Sequence, residues 1–163
     1  MFYRGFWIIE TNGNFITHLM HLLVFHELQR MRVNRELDIE KIMPEKPIVL
    51  EHSPFPRKGS FDFLVNAGRK NIGIEVLTRP SRKKLLEKLR YAKNVDEFVF
   101  AIPKDAFELY KKSCHKGHEH ARQNFFGKEF KSPKIKVWLL DLRDLRVLVK
   151  SSFGKIFNVK EYN

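Results

Sequence analysis

The stretch Ser60-Phe-Asp-Phe-Leu-Val-Asn-Ala-Gly-Arg-Lys-Asn-Ile-Gly-Ile-Glu-Val-Leu77 decides the fold. Two β-rich runs, 60–65 and 72–77, flank Asn66-Ala-Gly-Arg-Lys-Asn71, whose turn formers mark a hairpin. Successive strand residues point to opposite faces. Phe61, Phe63 and Val65 are therefore expected on one face of the first strand, with Asp62 and Leu64 on the other. On the second strand Ile72, Ile74 and Val76 form an apolar face, and Gly73, Glu75 and Leu77 lie opposite. A turn centred between Gly68 and Arg69 pairs Val65 with Ile72 and Phe63 with Ile74, and the same register sets Asp62 across from Glu75.

Directly opposed strand residues hold their Cβ atoms about 4.5–5.5 Å apart, so two carboxylates in these positions repel unless a proton or a cation lies between them. A pair of acids of this kind suits a hard divalent cation such as Mg²⁺ or Mn²⁺, which needs only one or two carboxylates plus water and substrate phosphate. The plainer alternative is a solvated sheet face carrying both acids. Leu64 and Leu77 on the same face predict that it is at least partly covered.

Outward from the hairpin, Asn14 caps a helix running to about Val33. At about 100° per residue, Phe15, Ile16, Leu19, Met20 and Leu23 share a broad apolar arc into which Glu27 and Arg30 also fall. Glu27 is thus a candidate third acid for the site, and a salt bridge to Arg30 or Arg32 is the equal alternative; Glu51 is a weaker candidate. The segment 34–46, with Pro44 and Pro47 at its end, reads as helix tail and loop before a short strand 48–52. A helix is expected over 80–93, with Leu85, Leu86, Leu89 and Ala92 on one side. A strand follows at 97–102, a helix at 105–112, and strands at 136–142, 145–149 and 153–159. The order predicts one α/β domain over 1–163, built on a mixed sheet flanked by helices, with a core over 14–102 and helical and strand additions over 103–163.

The 163 residues hold 31 Lys and Arg against 19 Asp and Glu, a net charge of +12. Residues 79–93 alone carry seven Lys or Arg against Glu87. Such a surface favours a polyanionic partner, DNA or RNA. Arg79, Arg82, Lys83 and Arg90 on the second helix, with Lys111, Lys112, Arg122 and Lys128 further on, are the expected backbone contacts. Two glutamines beside many Lys and Glu point to a hot habitat. The single cysteine, Cys114, excludes an intrachain disulfide and suits a reducing cytoplasm. No apolar stretch is long enough to span a membrane, because His18 and His21 interrupt the longest, and the start lacks the pattern of a signal peptide.

The order helix, strand, Asp-strand, Glu-strand, helix, strand resembles the PD-(D/E)XK nuclease superfamily of restriction enzymes, archaeal Holliday-junction resolvases and RecB-type nucleases. Gly59-Ser-Phe-Asp62 is similar to its first acidic motif and Ile72-Gly-Ile-Glu75 to its second, and Glu27 matches the helix acid of many members. The resemblance implies a restriction-endonuclease-like αβββαβ core and a Mg²⁺- or Mn²⁺-dependent DNA endonuclease with Asp62 and Glu75 as metal ligands. A homodimer is compatible with cutting two strands. The motif lysine, two residues after the glutamate, is here Leu77. The available replacements are Arg79, Lys83, Lys84 and Lys88 on the following helix, and by helical phase Lys88 reaches back toward the sheet while Lys84 lies further round. Glu87 and Tyr91 faintly resemble the Gln-and-Tyr signature of RecB-type members. The alternative is a relative that binds nucleic acid without cutting it.

Three further features carry weaker signals. Cys114, His115, His118 and His120 could ligate zinc, though their spacing matches no common module and an exposed basic loop or helix is the simpler reading. His18, His21 and His26 read as ordinary helix histidines. Phe125-Phe126 between basic residues could stack on bases.

Overall fold

The computed structural model describes residues 2–3, 6–7, 15–49, 58–115 and 128–157. Helix α1 (Phe15–Val33) leads into three antiparallel strands, β3 (Ile39–Val49), β4 (Lys58–Ala67) and β5 (Lys70–Val76). They follow a small ladder of β1 (Phe2–Tyr3) and β2 (Phe6–Trp7). Helix α2 (Arg82–Leu89) and a 3₁₀ turn (Arg90–Asn94) carry the chain to β6 (Glu97–Pro103), which pairs parallel to β5. Helix α3 (Lys104–His115), a 3₁₀ turn (Lys128–Lys131), β7 (Ile135–Asp141), β8 (Arg146–Ser152) and a short helix α4 (Phe153–Phe157) complete the described chain. The six strands form one mixed sheet in the order β3-β4-β5-β6-β7-β8, with β6–β7 parallel and β7–β8 antiparallel.

Both faces of the sheet are covered. Met20, Val24 and Leu28 of α1 pack on Phe63, Val65, Ile72, Ile74, Val99 and Trp138. On the other face Leu85, Ala92, Phe107, Phe130 and Phe153 pack on Leu77, Phe98, Phe100, Val137 and Leu139. The buried run of β6 follows from that double covering, as a parallel strand inside a helix–sheet–helix sandwich presents apolar side chains to both layers.

The hairpin folds in the expected register. Phe63 faces Ile74, Val65 faces Ile72, and Ala67 faces Lys70 across a two-residue loop in which Gly68 takes φ 58°, a conformation that glycine adopts without a Cβ clash. One expectation fails at Phe61, which leaves the α1-facing side and joins Phe98 and Tyr91 in the opposite cluster. Gly73 makes this possible, since a Cβ there would meet Cε1 of Phe61 at 2.5 Å. Phe61 fills the space the glycine leaves, and the alternation of β4 breaks next to Asp62.

Three other segments differ from the sequence reading. Residues 39–49 form one long strand where a loop and a short strand over 48–52 were expected, and residues 50–52 lie outside the described residues. Pro44 and Pro47 read as loop markers, but both lie in β3, which among the described residues is an edge strand of the sheet, the place where a strand tolerates proline. Helix α2 begins later than Pro80: Ser81 is its N-cap, accepting from the Lys84 N–H at 3.3 Å, and its last turn tightens to 3₁₀. Residues 153–157 are helical and not a strand. Phe153 and Ile156, one turn apart, both reach the α2-side core.

Gly73→Ala is expected to destabilise the protein by about 1–3 kcal/mol, the usual cost of overpacking a filled core. Phe61→Leu in the same chain is expected to recover part of that loss. Urea unfolding checks both; an unchanged midpoint in Gly73→Ala would show that Phe61 does not depend on the glycine.

Candidate active site

The β4–β5 ladder ends at Phe63 and Ile74, and one residue further on the strands are joined by a side chain. Oδ2 of Asp62 accepts the backbone N–H of Val76 at 2.7 Å. This contact holds Asp62 beside Glu75, whose side chain is 1% exposed. Lys88 reaches back from α2 and sets its Nζ 3.0 Å from Oε2 of Glu75. The same ammonium lies 4.8 Å from the centroid of the Tyr91 ring. The other oxygen, Oε1, is buried with no hydrogen-bond partner among the described residues.

His21 flanks Asp62 from the α1 side. Its Nδ1 donates to the Thr17 carbonyl at 2.8 Å, and its Nε2 lies 3.5 Å from Oδ1 of Asp62. Both ring nitrogens face oxygen acceptors, an arrangement that favours the doubly protonated imidazolium. The two carboxylates are thereby driven apart in acidity. Burial works against ionisation of Asp62, but the His21 hydrogen bond and charge, the Val76 N–H and Lys88 together hold it below the usual aspartate range. Glu75 is pushed up to about 8, first by burial and then by the charge of Asp62, which Lys88 only partly offsets. For His21, burial is outweighed by Asp62 and the Thr17 carbonyl, and its pKa rises. Lys88 is likewise raised: burial opposes its charge and Glu75 favours it more.

Lys88 borders a cleft of about 570 Å³ with Val76, Leu77, Thr78, Arg79, Lys84 and Glu87. The residues read from the sequence thus divide. Asp62, Glu75 and Lys88 come together; Lys84 and Arg79 line the same cleft, and Arg82, Lys83 and Arg90 are exposed on or beside α2. Leu77 is buried in the core at the end of β5. Lys111, Lys112, Cys114 and His115 belong to the backbone of α3 and Lys128 to the 3₁₀ turn, but their side chains lie outside the described residues, as do Glu51, His118, His120, Arg122 and Phe125-Phe126 entirely.

Glu27 is not part of the site. It is buried on α1 as its phase requires, but its oxygens take Arg30 Nε at 3.0 Å and Nη2 at 2.7 Å, and Lys150 of β8 as well. Arg30 extends the network to Glu36 at 2.7 Å. The salt-bridge alternative therefore holds at this position, because α1 crosses the sheet from β4, where His21 meets Phe63, to β8. His21 is the contributor that the sequence reading missed. The one available signal was its place on a helix expected to cover the hairpin, since six residues, about one and two-thirds turns, set it on a different face from Glu27.

Among the described residues no group of three or more His, Cys, Asp or Glu gathers to hold a metal ion. What the site offers is one ionised carboxylate, one raised carboxyl with a bare buried oxygen, and an ammonium beside it. Two acids are a sufficient protein contribution for Mg²⁺ or Mn²⁺ when water and a phosphate complete the shell, so the donor set fits such a cation. No helix among the described residues is long and apolar enough to cross a membrane. No family model, no curated protein and no solved structure matches the chain.

Because Glu75 binds its proton more tightly folded than unfolded, its contribution to stability falls as pH rises from its ordinary value of 4.5 toward about 8. In EDTA, melting temperatures are expected to decline more steeply over that window for the native chain than for Glu75→Gln; parallel slopes would refute the raised pKa. Glu27→Ala is expected to lower the melting temperature while leaving the pH slope set by Glu75 unchanged, which melting curves over the same pH window will check.

Proposed function

We propose that the chain is a metal-dependent nuclease that hydrolyses phosphodiester bonds in DNA. The observation that carries this reading is Lys88, which reaches from α2 to within 3.0 Å of the buried Glu75 and so supplies the cation that Leu77 lacks. The arrangement of elements supports a restriction-endonuclease-like core: a helix, three antiparallel strands, a helix, and a strand parallel to the third.

Asp62 and Glu75 would hold Mg²⁺ or Mn²⁺, which when bound supplies Lewis-acid polarisation of the scissile phosphate and a lowered pKa for the attacking water. Asp62 is already ionised and oriented by the Val76 N–H and His21. Glu75 must give up its proton to serve as a ligand, and Lys88 favours the ionised form. With Glu75 engaged, the Lys88 ammonium is placed to offset charge developing on the phosphate. The exposed Arg79, Arg82, Lys83, Lys84 and Arg90 would track the sugar–phosphate backbone by charge, which carries no sequence information.

The deciding experiment incubates the purified chain with labelled single-stranded, duplex and branched DNA in Mg²⁺, Mn²⁺ or EDTA. Cleavage is expected with metal alone and is expected to vanish in Asp62→Ala and Glu75→Ala while binding persists. Lys88→Ala is expected to lose about 10²-fold in rate, the scale for one group that stabilises transition-state charge. Unchanged cleavage by both carboxylate variants would sink the assignment. DNA retarded but intact in every lane would make the chain a nucleic-acid-binding module.

A further inference from the structure

A second cleft, of about 560 Å³, opens at the carboxyl ends of the parallel strands β5, β6 and β7. It shares Thr78 and Arg79 with the cleft bordered by Lys88, so the two adjoin. Its wall carries three cations, Arg79, Lys104 and Arg143, with no ion pair to a carboxylate among the described residues. Two carboxylates share the wall, Asp105 and Asp141; Asp141 accepts the backbone N–H groups of Asp144 and Arg143 at 3.1 and 2.9 Å, which with Lys104 nearby favour its ionised form, so the wall is cationic by one formal charge. Ile16 and Leu109 line it as well and are 43% and 68% exposed, high values for large apolar side chains.

We propose that this cleft seats one unpaired nucleotide beside the scissile phosphate, so that the substrate is single-stranded DNA or a single-stranded end and not the interior of a duplex. The inference rests on the nuclease reading for the identity of the neighbouring site. Its volume lies in the range of small-molecule sites, about 300–1,000 Å³. The cations suit a phosphate, and the exposed Ile16 and Leu109 offer apolar contact to a base. A base in a duplex keeps both faces in the stack and both strands outside a concave wall, and extruding it costs a few kcal/mol. An unpaired nucleotide enters without that cost, its base against the aliphatic Ile16 and Leu109 and its phosphate toward the cations.

The test measures binding of the full chain in EDTA, by fluorescence anisotropy, to a short 5′-phosphorylated oligothymidylate and to a hairpin-capped duplex. Lys104 and Arg143 are both exposed, so Lys104→Ala/Arg143→Ala should fold normally. The native chain is expected to bind the single strand more tightly than the duplex. The double variant is expected to lose about tenfold or more on the single strand, with a salt dependence shallower by about 0.7 per lost phosphate contact, and to bind the duplex as before. Duplex binding that equals or exceeds single-strand binding, or unchanged single-strand binding in the double variant, overturns the proposal. Binding in EDTA requires no chemistry, so the two readings fail separately. Single-strand preference without cleavage in metal removes the nuclease and keeps the cleft; metal-dependent cutting of duplex interiors by native and double variant alike removes the cleft and keeps the nuclease.

Discussion

The structure turns on two acidic side chains that the hairpin forces to share one place. The ladder that ends at Phe63 and Ile74 brings Asp62 beside Glu75 only in this register, and a slip of one residue would move Ile72, Ile74 and Val76 out of the α1-facing core. The apolar face therefore enforces the proximity of the carboxylates. Like charges confined together are unfavourable, and the protein answers from each side: the His21 imidazole from α1 toward Asp62 and the Lys88 ammonium from α2 toward Glu75. Two helices on opposite faces of the sheet converge on one pair of acids. A feature maintained against its own electrostatics, with one buried oxygen still bare, is the kind of local conflict expected at a functional site.

The backbone around the pair departs from regular strand geometry. Phe61 leaves the regular alternation and lies over Gly73, whose missing side chain accepts the ring. Glu45, in the edge strand that flanks β4, takes φ 51°, and its charge is among those that raise His21. Tyr91 closes over Gly59 from the 3₁₀ turn, so closely that a Cβ there would meet its hydroxyl at 2.6 Å. Two glycines on neighbouring strands thus admit two aromatic rings against the sheet near Asp62 and Lys88.

Much of this was legible in the sequence, for physical reasons that can be named. The hairpin register follows from period-two alternation and a turn that only a few residues can make. The approach of Lys88 to the sheet follows from helical phase. Signals that depend on position within the sheet were not legible. Prolines read as loop markers until β3 proves to be an edge, and Phe153 and Ile156 are compatible with strand or helix until the core they bury in is known. Glu27 had the right phase to be buried, but phase fixes only the direction of a side chain and not which strand it meets. The partner was Lys150, 123 residues away, and the residue that did meet Asp62 was a histidine indistinguishable from its neighbours by spacing.

The distribution of charge then separates two tasks that net charge alone runs together. Lys88 is half-buried and spent on Glu75; Arg82, Lys83, Lys84 and Arg90 around it are exposed. Glu27, Arg30, Glu36 and Lys150 form a closed network that ties α1 to β8 and leaves no charge over for a ligand. Exposed cations stand where β5 passes into α2, at Arg79, Arg82, Lys83 and Lys84, and where β6 and β7 end, at Lys104 and Arg143. A polyanion drawn to that surface is drawn to the carboxylate pair, and the acids at its centre would repel it unless a proton or a divalent cation neutralises them. In the proposed nuclease, positive charge outside and paired acids inside would be two halves of one requirement: the surface would gather the phosphate, and a cation between the acids would let it approach.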